Sequence, residues 1–126
     1  MACILFVDDD PMTLETLTKA VTLFGHQALI ASNAKQGIVL ATKEKPDLIF
    51  SDMRLVDMDG LELVKALKEL PETASIPVLI LSASPVMNAE HKALEVGAQA
   101  YLTKPIRLQT LLDIIQEYTH QANATT

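Results

Sequence analysis

Cys3-Ile-Leu-Phe-Val7, followed at once by Asp8-Asp9-Asp10-Pro11, is the stretch whose reading decides the fold. An unbroken apolar run with β-branched members suits a strand buried on both faces. Asp10 can cap a helix that starts at Pro11, because the first helical position leaves its N–H unpaired and proline has none to lose. Leu14, Leu17, Val21 and Phe24 then share one helical face, and Gly25 closes the segment.

The same unit, strand then helix, recurs along the chain. Gln27 to Ala31 reads as the second strand; after Ser32 and Asn33 comes a helix through Lys43, with Ile38 and Ala41 inward, and Pro46 blocks its continuation. Asp47 to Ser51 is the third strand, with Asp52 at its end. The loop Met53 to Asp59 and Gly60 lead into a helix whose apolar face is Leu63, Val64, Leu67 and Leu70, stopped by Pro71. Ile76 to Leu81, ending at Ser82, is the fourth strand; a helix from about Pro85 to Val96 follows, with Gly97 as its cap. Ala100 to Leu102 is a short fifth strand ending at Thr103 and Lys104. Leu108, Leu111, Leu112 and Ile115 set the stripe of a last helix that ends near His120. The alternation predicts an α/β fold: a doubly wound, five-stranded parallel sheet with five helices, one domain over residues 1–121 and a flexible polar tail over 122–126.

Bulk properties narrow the function. A chain of 126 residues that is 49% apolar can build one sizeable core. A net charge of -6 speaks against a nucleic-acid groove, where Lys and Arg cluster against phosphates. Cys3 has no partner for an intramolecular disulfide, no secretory pattern opens the chain, and no apolar run approaches the roughly 20 residues of a membrane helix. The expectation is a cytoplasmic protein with neither a nucleic-acid nor a membrane partner.

In an open parallel sheet the binding crevice lies beyond the carboxyl ends of the strands. Asp8 and Asp9 follow the first strand, Asp52 the third, Ser82 the fourth and Lys104 the fifth. With the flavodoxin-like strand order 2-1-3-4-5, the first and third strands are neighbours and their carboxylates converge. Carboxylates about 4 Å apart repel by roughly 4 kcal/mol per pair at an effective dielectric near 20. A divalent cation relieves that, and hard oxygen ligands suit Mg2+, which readily shares its shell with a phosphate. Asp52 held by such a metal could attack a phosphoryl group in line, with Lys104 and the Ser82 hydroxyl stabilising the transferred oxygens.

Five segments carry a family resemblance: Ile4-Leu-Phe-Val-Asp-Asp-Asp10, Pro46-Asp-Leu-Ile-Phe-Ser-Asp52, Met58-Asp-Gly60, Leu81-Ser-Ala83 and Gly97-Ala-Gln-Ala-Tyr-Leu-Thr-Lys-Pro105. Together, from residue 3 to about 120, they resemble the response-regulator receiver domains of two-component systems, in their single-domain, chemotaxis-like form. The resemblance implies that Asp52 accepts phosphate from a sensor histidine kinase or phosphotransfer protein. It implies Mg2+ held by Asp9, Asp52 and the backbone carbonyl of Arg54 with Asp8 assisting, and contact of Lys104 with the phosphoryl group. It further implies a switch in which Ser82 moves and Tyr101 changes rotamer, altering a partner surface on the fourth helix, fifth strand and fifth helix, and a cis Lys104-Pro105 bond. Such a chain is a phosphoacceptor switch and not an enzyme. Ile114, read as pointing off the main stripe of the last helix, joins Tyr101 as an interface candidate.

The chain departs from the family pattern at Val56, where Pro is common, which predicts a looser loop. Ser82 stands in for the more frequent Thr, and Arg54 and Ser84 flank the phosphate site. A rival reading remains: Asp8-Asp9-Asp10 also satisfies the spacing of haloacid-dehalogenase-like phosphatases, Mg2+ enzymes in which Asp8 would be the nucleophile and Asp10 the general acid.

Overall fold

A computed structural model describes residues 2–83 and 88–123, with side chains through residue 119. The elements run β1 (Cys3–Val7), α1 (Pro11–Leu23), β2 (Gln27–Ala31), α2 (Ala34–Glu44), β3 (Leu48–Asp52), α3 (Gly60–Glu69), β4 (Val78–Ser82), α4 (Ala89–Glu95), β5 (Ala100–Thr103) and α5 (Leu108–Asn123). The strands pair in parallel in the order β2-β1-β3-β4-β5, the flavodoxin-like order assumed from the sequence.

Strand alternation sorts the core into two layers. Ile4, Phe6, Leu48, Phe50, Leu79 and Leu81 face α1 and α5, packing on Leu14, Leu17, Val21, Leu111 and Ile115. Leu5, Val7, Ile49, Val78 and Ile80 face the other way, onto Leu63, Val64 and Leu67 of α3 and the small Ala34, Ala41 and Ala93 of α2 and α4. Full burial of each large side chain is worth about 2 kcal/mol over exposure, which is what fixes a strand buried on both faces. The rings of Phe6 and Phe50 stack at 5.6 Å between centroids, tying β1 to β3 on the α1/α5 side. Because the chain winds to opposite faces on leaving β1 and β3, a crevice opens between their carboxyl ends.

Several boundaries differ from the sequence reading. β3 starts at Leu48 and includes Asp52, whose Cα pairs with Leu81. β4 starts at Val78, not Ile76, because Pro77 has no N–H to donate; its carbonyl still accepts from Ile49 N–H at 3.0 Å. Phe24, expected on the inner face of α1, is the residue after the helix and 50% exposed. The described part of the fourth helix is Ala89–Glu95, and its expected start at Pro85, with Ser84 and Met87, lies outside the described residues. Gly97 closes it at φ +109, a conformation that favours glycine. α5 continues past His120 to Asn123, since Gln121 and Ala122 favour helix and no Gly or Pro intervenes.

The inner face of α5 is also displaced from the expected one. Leu108 is 46% exposed, while Leu111 and Ile115 are buried and Ile114 and Tyr118 pack partly buried beside them. Leu108, Leu111, Leu112 and Ile115, and Leu111, Ile114, Ile115 and Tyr118, both satisfy the spacing 0, 3, 4, 7, and only contact with the sheet chooses between them. Ile114 therefore belongs to the helix's sheet-facing side.

Candidate phosphoryl-transfer site

At the carboxyl edge of the sheet, oxygens of Asp8, Asp9 and Asp52 lie within 4.8 Å of one another. β1 delivers the first two and β3 the third. Asp8 is buried and Asp9 exposed, with Asp52 between them, so the cluster has a sheltered floor and an open mouth. Lys104, just beyond β5, crosses to it: Nζ is 2.6 Å from Asp8 Oδ2 and 3.4 Å from Asp52 Oδ1. Its peptide bond to Pro105 is cis. The Lys104 N–H donates to the Ser82 carbonyl at 2.7 Å, fastening the end of β5 to that of β4, where Ser82 is buried.

The charges are not balanced. Burial pushes the Asp52 carboxyl above its usual value; the Lys104 ammonium opposes that and Asp8 adds to it. Burial acts to lower Lys104, but its hydrogen bond and attraction to Asp8, then to Asp52, outweigh it and hold the ammonium above the ordinary lysine range. Three acids thus face one cation, and an all-oxygen donor set with surplus negative charge fits a hard divalent metal.

The chain beyond Asp52 is held tightly. Gly60 N–H donates to the Met53 carbonyl at 2.6 Å, and a Cβ at Gly60 would come within 2.6 Å of the Asp52 carbonyl oxygen, so only glycine fits beneath the acceptor. Arg54 bridges to Asp59, leaving its side chain exposed. The Tyr101 ring packs against the α2–α4 side of the core, and its hydroxyl is buried with no hydrogen-bond partner among the described residues.

A model of the response regulator receiver domain family matches residues 4–116. The chain belongs to that family. It is similar to Protein PilH of Pseudomonas aeruginosa, 37% identical over 115 residues covering 91% of this chain and 95% of that one. It is also similar to Sporulation initiation phosphotransferase F of Bacillus subtilis, 32% identical over 115 residues and 91% of each chain. Among solved structures, Vibrio cholerae chemotaxis protein CheY4 superposes with a TM-score of 0.87 at 28% identity, covering 94% of this chain and 98% of that one.

As a receiver the chain is a phosphorylation-dependent signalling module, of a family of switches and not of enzymes, and such modules interact with histidine kinases or phosphotransfer proteins and with downstream partners. The phosphatase alternative has no support in the geometry. Asp10, its general acid, is the N-cap of α1: Oδ1 accepts from Met12 N–H at 3.1 Å and Oδ2 from the Thr13 hydroxyl at 2.7 Å. Those bonds, Thr13's first, hold its carboxyl below the usual range, the opposite of what a proton donor needs.

Two features of the receiver's site escaped the sequence reading. A cavity of about 420 Å³ opens beside Lys104 between the start of α1 and the segment after β5, lined by Met12, Thr16, Leu17, Leu81, Pro105 and Ile106. Thr16 and Leu17 at helical spacing carry no signal of a cavity, because its far wall comes from residues about ninety positions on. The second is Asp57, whose carboxylate accepts from Ala34 N–H and Lys35 N–H, each at 2.9 Å. The loop predicted to be loosened by Val56 is therefore tied down one residue later.

Proposed function

We propose that this receiver stores a signal as an acyl phosphate on Asp52, formed with Mg2+ from a phosphohistidine of a sensor histidine kinase or phosphotransfer protein. The carrying observation is the convergence of Asp8, Asp9 and Asp52 within 4.8 Å with Lys104 bridging Asp8 and Asp52. Asp9, Asp52 and the Arg54 carbonyl would hold the metal, with Asp8 assisting through its hold on Lys104. When bound, Mg2+ would neutralise charge on the phosphoryl oxygens and leave them open to attack.

Asp52 is the nucleophile: an Oδ–P bond forms as the P–N bond to the donor imidazole breaks. A carboxylate whose ionised form is disfavoured by burial gains from sharing its charge with phosphorus and metal. Lys104 then contacts a phosphoryl oxygen, and Ser82, with its hydroxyl at the same strand-end rim, moves to hydrogen-bond another. Tyr101 follows. Its buried hydroxyl, without a partner among the described residues, carries a desolvation cost of about 1–3 kcal/mol, so an alternative rotamer that frees it needs little driving force.

The output surface is the face of α4, β5 and α5, through which a downstream protein is bound. Leu94 on α4 and Leu108 on α5 are 48% and 46% exposed and replace Ile114 as the apolar anchors of that face, since Ile114 packs inward. The setting is cytoplasmic; among the described residues no helix is long and apolar enough to cross a membrane.

Incubation with acetyl phosphate and Mg2+ tests the reading. One base-labile phosphate per chain, lost in Asp52→Asn and in the presence of a chelator, is expected. Sustained hydrolysis of an aryl phosphate that survives Asp52→Asn and stops in Asp8→Asn would overturn it.

A further inference from the structure

Between Asp52 and Gly60 the chain makes a narrow hairpin. Arg54 and Asp59 pair antiparallel, and the Leu55 N–H donates to the Met58 carbonyl at 3.2 Å, which leaves Val56 and Asp57 at the tip. Val56 is 77% exposed and contributes no anchor. The anchor comes from a different element, the N-terminus of α2.

A helix begins with four N–H groups that have no helical partner. In α2 the Ala34 and Lys35 N–H groups go to Asp57 and the Gln36 N–H goes to Asn33 Oδ1 at 2.8 Å, while the Gly37 N–H makes the first bond of the helix proper, to the Asn33 carbonyl at 3.1 Å. Asp57 thus accepts two of these three capping bonds from outside the helix, with its charge at the positive end of the helix dipole. The two parts of that cap differ in what they hold. Asn33 joins α2 to its own preceding residue, whereas Asp57 joins it to the hairpin whose base carries Asp52 and the Arg54 carbonyl.

We propose that Asp57 is a positioning residue for the metal: by fastening the hairpin tip to α2 it keeps the Arg54 carbonyl aligned with Asp9 and Asp52, so that Mg2+ binds at full affinity. The inference rests on the metal reading above and adds a residue that touches neither metal nor phosphate. Partners that orient a ligand in this way typically matter by roughly 10-fold or more in metal affinity.

The test is calorimetric titration of Mg2+ alone into the full chain, alongside amide hydrogen exchange at Ala34 and Lys35. Asp57→Ala should weaken Mg2+ binding by roughly 10-fold and deprotect both amides. Asp57→Asn, which keeps one acceptor oxygen, should fall between Asp57→Ala and the wild type. Asn33→Ala frays the same helix without touching the hairpin and should leave Mg2+ affinity unchanged. Equal losses in Asp57→Ala and Asn33→Ala would reduce Asp57 to a helix cap and overturn the proposal. So would unchanged Mg2+ affinity in Asp57→Asn with the two amides deprotected, an outcome that decides even if Asp57→Ala folds poorly. Failure of the wild-type chain to bind Mg2+ would instead remove the metal reading itself, a result visible before any variant is compared.

Discussion

Lys104 Nζ lies closer to Asp8 than to Asp52, 2.6 Å against 3.4 Å, although Asp52 is the proposed acceptor. The ammonium is parked on the buried neighbour and within short reach of the acceptor. Transfer to a phosphoryl oxygen on Asp52 then requires a small displacement of one end of a long side chain, not a rearrangement of the sheet.

Lys104→Ala separates the two roles of that ammonium. It leaves the buried Asp8 without its cation, at a cost of about 2 kcal/mol read by urea denaturation. Mg2+ affinity should rise, because a competing positive charge has gone, while phosphate uptake from acetyl phosphate falls. The stabilisation from Lys104 is fully present below the ordinary lysine value of 10.5 and is lost as pH climbs through its raised folded value, so the wild-type and variant stabilities should converge in strong alkali.

Asp52→Asn abolishes the acyl phosphate and should also stabilise the metal-free fold. The folded Asp52 binds its proton more tightly than the unfolded chain does, so its contribution is favourable below pH 3.8 and is lost as pH rises through its raised value. At neutral pH the variant should melt at a higher temperature than the wild type. The gain should vanish in acid, where the carboxyl is already neutral, and melting curves at both pH values check this.

Tyr101→Phe removes the buried hydroxyl that has no partner among the described residues. The unphosphorylated chain should become more stable by about 1 kcal/mol in chemical denaturation. Phosphorylation of Asp52 should proceed at a normal rate, while binding to the downstream partner responds less to it. A loss of stability would mean that the hydroxyl is satisfied where the ring sits.

His26 predicts an acid-sensitive corner far from the site. Its Nδ1 accepts from the Ala2 N–H at 3.1 Å, which needs that nitrogen unprotonated, and burial first of all holds its pKa below the usual value. The unfolded chain takes up the proton first, so this stability is present above pH 6.5 and fades as pH falls below it. In His26→Asn, whose amide oxygen can accept the same bond, the slope of melting midpoint against pH just below 6.5 should flatten.

What could be read from the chain alone was local or periodic. The strand of Cys3–Val7, the Asp10 cap with Pro11, and the acids, hydroxyl and lysine at the strand ends are each visible within a few residues, because capping and alternation act over that range. The strand order was assumed from the flavodoxin-like pattern, since alternation alone fits other orders; the observed pairing of β1 with β3 brings Asp8, Asp9 and Asp52 together.

Tertiary structure decided what depends on distant partners. It chose Ile114 and Tyr118 over Leu108 for the inner face of α5, because two apolar stripes overlap on that helix and only contact with the sheet distinguishes them. It set Lys104 on Asp8 and sent Asp57 across to a helix that begins 23 residues earlier. A carboxylate looks the same in sequence whether it binds metal, caps a helix or meets solvent; what separates these fates is which donors the rest of the fold brings within about 3 Å of it.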